Sequence, residues 1–147
     1  MSKPESGLFH GTSGSHASSF DKKKQALETV RRLIAETPGG RKKSMAAGAY
    51  DLKGTGKNVA AFAGEIPKRI HPELRKRAEK IGGIGTHGLT SRNTVGVCAE
   101  FHAVNSLLLS GCKWSDIRLT PAIRPRTGAI MPYCDNCLAM FGDLIKD

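Results

Sequence analysis

Two cysteine-bearing motifs, far apart in the chain, constrain the fold more than any other feature. The first is Cys98-Ala99-Glu100-Phe101-His102-Ala103, and the second is Pro132-Tyr133-Cys134-Asp135-Asn136-Cys137. Cys134 and Cys137 stand at i and i+3, which places two side chains on one face of a helix's first turn. Cys98 opens an apolar segment, Phe101, Ala103, Val104, Leu107 and Leu108, spaced as a buried helix that ends at Gly111. A third thiolate from Cys98 would complete three protein ligands for zinc and leave one tetrahedral position open. That open position separates a catalytic zinc from a closed structural one. Glu100 would face it. A fold that uses these residues must bring two helix starts together.

Local electrostatics fit that reading. Both motifs begin predicted helices, where free N–H groups and the macrodipole favour thiolate over thiol. The Cys-x-x-Cys spacing alone also suits a redox pair at a helix start, but that reading leaves Cys98-Ala99-Glu100 without a role. The four Cys could form two disulfides in three pairings; metal-ligand spacing favours bound or reduced thiols instead. Cys112 is assigned to the core. His102 lies two positions past Glu100, which turns it away from Cys98, so it reads as a core residue or as a support for Glu100.

The rest of the chain is read around this pair. Its 147 residues suffice for one ordinary core and not for two comfortable domains, so residues 20–147 are expected to be a single domain. Residues 1–19 are polar and Ser/Gly-rich, and read as a flexible arm in which Ser18 or Ser19 caps the next element. No signal-peptide core and no membrane span is legible. Leu27, Val30, Leu33 and Ile34 make an apolar stripe on a helix over 21–36, stopped by Pro38-Gly39-Gly40. Segments 45–52 and 58–63 read as a β-hairpin. Pro72 starts a short basic helix running to about Lys80. Residues 84–97 form a glycine-punctuated loop arriving at Cys98. Segment 117–123 is a strand bent or confined to an edge by Pro121. A basic turn at 124–128 then leads to a final helix marked by Leu138, Phe141, Leu144 and Ile145. Helices alternating with strands in this way predict an α/β three-layer sandwich, with helices covering a small sheet.

Charge bears on the partner. Lys and Arg number 23 against 13 Asp and Glu, a formal net charge of +10, which favours a polyanion such as nucleic acid. Arg92 precedes the Cys98 helix, and Arg124 and Arg126 precede the Cys134 helix, so all three are candidates for holding phosphates. His87, Asn93 and Thr94, on the loop entering the site, are candidates for contacting base or sugar. Aromatic residues are only 5% of the chain, which weighs against an extended stacking channel, although Trp114 and Tyr133 remain available.

At the level of motif, Cys98-Ala99-Glu100 with Pro132-Tyr133-Cys134-Asp135-Asn136-Cys137 resembles the cytidine deaminase-like superfamily. Tyr133 intervenes where most members have Pro directly before the first Cys, and it is a candidate for lining the base pocket. The fuller string Cys98-Ala99-Glu100-Phe101-His102-Ala103-Val104-Asn105, with the upstream hairpin, resembles the YwqJ-like deaminase domains of bacterial polymorphic toxins, over roughly 45–141. The resemblance implies a deaminase-like α-β-α sandwich around a mixed sheet, Zn2+ bound by Cys98, Cys134 and Cys137, and Glu100 as proton shuttle. It implies hydrolytic deamination of a nucleobase, most simply cytosine to uracil in nucleic acid, with DNA favoured over RNA. It further implies secretion or delivery within a larger toxin, action in a target-cell cytoplasm, and a cognate immunity protein. A free cytidine or nucleoside deaminase is the alternative. A non-catalytic zinc-binding module is weaker. So is an ADP-ribosyltransferase-type toxin, which rests only on the similarity of Leu8-Phe9-His10-Gly11-Thr12 to the nicotinamide-binding strand of that family.

Overall fold

The computed structural model describes residues 8–12, 17–53, 56–90 and 93–145. At its centre is a strand of mostly small residues, Ala46–Asp51 (β2), in which all six positions are buried. A strand covered on both faces carries no polar alternation, and small side chains let helices approach it closely. Gly48 shows how closely: a Cβ there would lie 2.9 Å from Val30 Cγ2 of the first helix.

That helix, Ser19–Glu36 (α1), starts as its sequence predicts, with Ser18 Oγ accepting the Asp21 amide at 3.1 Å. Its Val30 and Leu33 pack on Ala46, Ala60, Phe62 and Ile123. The hairpin partner of β2 is Lys57–Phe62 (β3). Beyond β3 come Pro72–Glu79 (α2) and Ala99–Leu109 (α3). Segment 117–123 is two short strands, Ile117–Leu119 (β4) and Ala122–Ile123 (β5), separated at Thr120-Pro121 as the proline requires. The chain then forms Ile130–Met131 (β6) and Asp135–Phe141 (α4), and a 3-10 turn at Gly142–Leu144 finishes the expected last helix. On the face opposite α1, Phe101, Val104 and Leu107 of α3 join Leu74 and Ala78 of α2 and Met140 and Phe141 of α4 over Ala49, Val59 and Ala61. The molecule is therefore α/β, with helices on both faces of one sheet.

Two expectations are corrected. The sheet is not mixed: with Leu8–Thr12 as β1, its order is β1-β3-β2-β5-β6, with β4 also beside β2, and every pairing among the described residues is antiparallel. The reason is the path of the chain. Helix α3 carries it the length of the sheet, and β4 then starts beside Asp51, at the far end of β2, and runs back. Nor is all of 1–19 a loose arm. Leu8–Thr12 (β1) pairs with β3 as an edge strand. Gly11 permits this, since a Cβ there would sit 2.5 Å from Asn58 Oδ1 and 2.8 Å from Thr29 Oγ1. His10 is thus a strand residue. Cys112 is buried, as expected of a core thiol. No helix among the described residues is long and apolar enough to cross a membrane.

Candidate metal centre

The site is built where α3 and α4 begin. Cys98 is the residue preceding α3 and Cys134 the one preceding α4, both with extended backbone, while Cys137 lies inside the first turn of α4. Beneath Cys98, Ala47, Ala99 and Ala122 pack together with Met45, Ala63 and Met131 around them, and such small side chains let α3 settle against the sheet. The approach to Cys98 is fixed by the main chain: the Gly64 amide donates to the Val97 carbonyl at 2.9 Å, and the Val97 amide to that of Thr94 at 3.3 Å. The sulfurs of Cys98, Cys134 and Cys137 lie within 4.8 Å of one another, and all three cysteines are free. Tetrahedral zinc with bonds near 2.3 Å would need its sulfurs ~3.8 Å apart, so this donor set fits after small rotamer adjustment. Three thiolates are also a donor chemistry that suits zinc. Among the described residues no fourth His, Cys, Asp or Glu joins the group.

Protonation follows from this crowding. The Cys134 thiol falls to about 2, because Cys137 and then Cys98 hydrogen-bond to it and the amides of Cys137 and Asn136 add to the effect. Cys98 is pushed up to about 12, chiefly through its hydrogen bond to Cys134. Cys137 is also raised, by Cys134, by Cys98 and by burial. Glu100, only 5% exposed, has its carboxyl raised by burial and by the charge on Cys134, while a hydrogen bond to its own backbone and a weaker one with Cys137 pull the other way. It therefore sits against the thiols and can keep a proton that an exposed carboxylate would lose.

The other expected site residues separate into groups. His87 and Asn93 belong to one exposed loop, where His87 Nδ1 lies 3.3 Å from the Asn93 carbonyl. Thr94 carries the turn into Cys98, and Arg92 lies outside the described residues. Tyr133 packs against the α3-side core and donates its hydroxyl to the Thr120 carbonyl at 2.7 Å, so the residue standing where proline was expected ties the α4 start to the β4–β5 bend. Arg124 and Arg126 are exposed on the β5–β6 turn. Arg126 lines a cavity on the α1 side of the sheet together with Arg31 and Arg41. His102 lines a cavity with Gly64, Glu65 and Ile66. Burial lowers its pKa, opposed by backbone groups of Gly64 and Glu65, and its Nε2 has no hydrogen-bond partner among the described residues.

Two asparagines escape sequence reasoning. Asn136, fully buried between the paired cysteines, accepts the Leu89 amide at 2.7 Å and donates to the His87 carbonyl at 3.0 Å. It clamps the 86–90 loop over the start of α4. Gly88, at φ +61, makes room for it, since a Cβ there would lie 2.5 Å from Asn136 Oδ1. Asn105 does the same for the segment before α2, accepting from the His71 amide at 2.9 Å and donating to the Arg69 carbonyl at 2.8 Å. The only sequence signal was an amide inside an apolar helix. A comparison of the chain with protein-family models, curated proteins and solved structures gives no match.

Proposed function

We propose that this chain is a zinc-dependent hydrolytic deaminase of nucleobases, acting on cytosine in nucleic acid. The observation that carries the reading is a buried carboxyl, Glu100, against three converging thiols that no fourth His, Cys, Asp or Glu joins among the described residues. Zinc held by Cys98, Cys134 and Cys137 would supply Lewis-acid activation of water. The residues of the chain would do the remainder. Glu100, with its raised affinity for protons, accepts one as water adds to ring carbon C4 and delivers it to ring nitrogen N3. It then passes the second proton to the departing amine. Cytosine and water become uracil and ammonia, with no net change at Glu100. The loop clamped by Asn136 brings His87 and Asn93 close to the start of α4 and so to the incoming base.

A closed structural zinc needs a fourth protein ligand, and the geometry provides none among the described residues. The excess of basic residues supports nucleic acid over a free nucleoside as substrate. We carry the toxin context, with DNA as the favoured polymer, as part of the same proposal. The experiment is to incubate the zinc-loaded protein with single- and double-stranded DNA, RNA and cytidine and to sequence or chromatograph the products. Uracil in oligonucleotides is the expected result. Uridine from cytidine alone, at a rate insensitive to salt, would assign a nucleoside enzyme; no product from any of them would reject the reading.

A further inference from the structure

Three arginines from three different segments meet around one cavity on the α1 face. Arg31 comes from α1, Arg41 from the 3-10 turn Gly40–Lys42, and Arg126 from the β5–β6 turn. The cavity is about 370 Å³, with a floor of Ile34, Ala35, Ile123 and Pro125 and no carboxylate in its lining. Among the described residues none of the three forms an ion pair. Gathering like charges is unfavourable unless an anion shares them.

The backbone is shaped to produce the cluster. Gly39 takes φ +71, and Gly40 lies so tightly on the last turn of α1 that a Cβ would collide with the Ile34 carbonyl oxygen. That close return carries Arg41 back toward Arg31. On the opposite wall the Gly128 amide donates to the Arg124 carbonyl at 2.8 Å, and the Ala129 amide to Thr127 Oγ1 at 3.2 Å, which fixes the turn bearing Arg126.

The cavity opens at the same end of the sheet as the thiols, on the other face. Its Ile123 pairs with Ala46, the first residue of β2, and the next residue, Ala47, touches Ala99 beside Cys98. Among the described residues the sheet ends on this side with β5 and then β6, the last strand in the order, whose Ile130 is 69% exposed. We propose that Arg31, Arg41 and Arg126 form a phosphate clamp for single-stranded nucleic acid. The strand lies with sugar or base on the apolar floor, rounds the β6 edge over Ile130, and presents a neighbouring base to Glu100. The assignment rests on the deaminase reading for its endpoint. A duplex is too stiff to follow this path around a sheet edge, so the clamp selects an unpaired strand.

The test is fluorescence anisotropy of a labelled single-stranded oligonucleotide with the zinc-loaded full chain, over a salt series, with uracil formation measured in parallel. The Arg31→Gln/Arg41→Gln/Arg126→Gln variant should bind roughly tenfold or more weakly and lose about 2 units of salt slope, at ~0.7 per phosphate contact on single strands. Its zinc content and melting temperature should stay those of the parent. A charge-matched Arg75→Gln/Lys76→Gln/Lys80→Gln variant on exposed positions of α2 and its end should bind like the parent. Equal weakening by both variants would show diffuse attraction and overturn the clamp, as would unchanged binding by the arginine variant. Tighter binding of duplex than of single strand would overturn the path around β6. Loss of binding in the arginine variant, with no uracil formed even by the parent, would keep the clamp and reject the deaminase reading.

Discussion

At the scale of single residues, burial decides what each group can do. Asn136 satisfies two main-chain groups of the 86–90 loop from inside α4, so Asn136→Ala should cost about 1–3 kcal/mol and free the loop. Chemical denaturation measures the first effect and amide exchange at Leu89 the second. His102 makes a pH prediction. Burial depresses its folded pKa below the ordinary 6.5, so its neutral ring contributes stability that is present above pH 6.5 and lost as pH falls through the folded value. The metal-free protein should therefore lose more stability between neutral and mildly acidic pH than a His102→Gln variant, as thermal melts across that range would read. Sequence spacing named Cys98, Cys134, Cys137 and Glu100 because chemistry restricts residue type as well as spacing there. Asn136 and Asn105 were not legible, because a buried amide is defined by the main chain it meets, and those partners lie in loops distant in sequence.

At the scale of elements, the small residues of β2 set how closely helices pack. Phe101, wholly buried in α3 over the sheet, should cost about 3–5 kcal/mol on replacement by alanine, measured by denaturant titration. Elements with local signatures were readable: the Ser18 cap, the hairpin, Pro72 at the start of α2, and Pro121 dividing one strand into two. The β1 strand was not, because five residues with mixed burial carry no period. What makes them a strand is the open edge of β3 and the room left at Gly11. The direction of β4 was equally hidden, since it depends on where α3 delivers the chain rather than on any residue of the strand.

At the scale of the whole molecule, both halves of the metal centre are held by one core, so occupancy should couple to global stability. On the proposed reading the folded thiols would bind zinc more tightly than the dispersed ones, so chelation should lower the melting temperature, and Cys134→Ser should abolish most of that difference. Calorimetry with and without chelator measures both. The basic surface was visible in composition, but its division into an arginine cavity on one face and thiols on the other required the fold. On the proposed reading Glu100 moves protons at this centre and does not hold the metal. The direct test is the Glu100→Ala variant, assayed for zinc content and for uracil formation in the same preparation. One zinc per chain, with product formation reduced by about 10²–10⁴-fold or more, is the predicted result. Full activity in that variant, or loss of zinc together with activity, would contradict it.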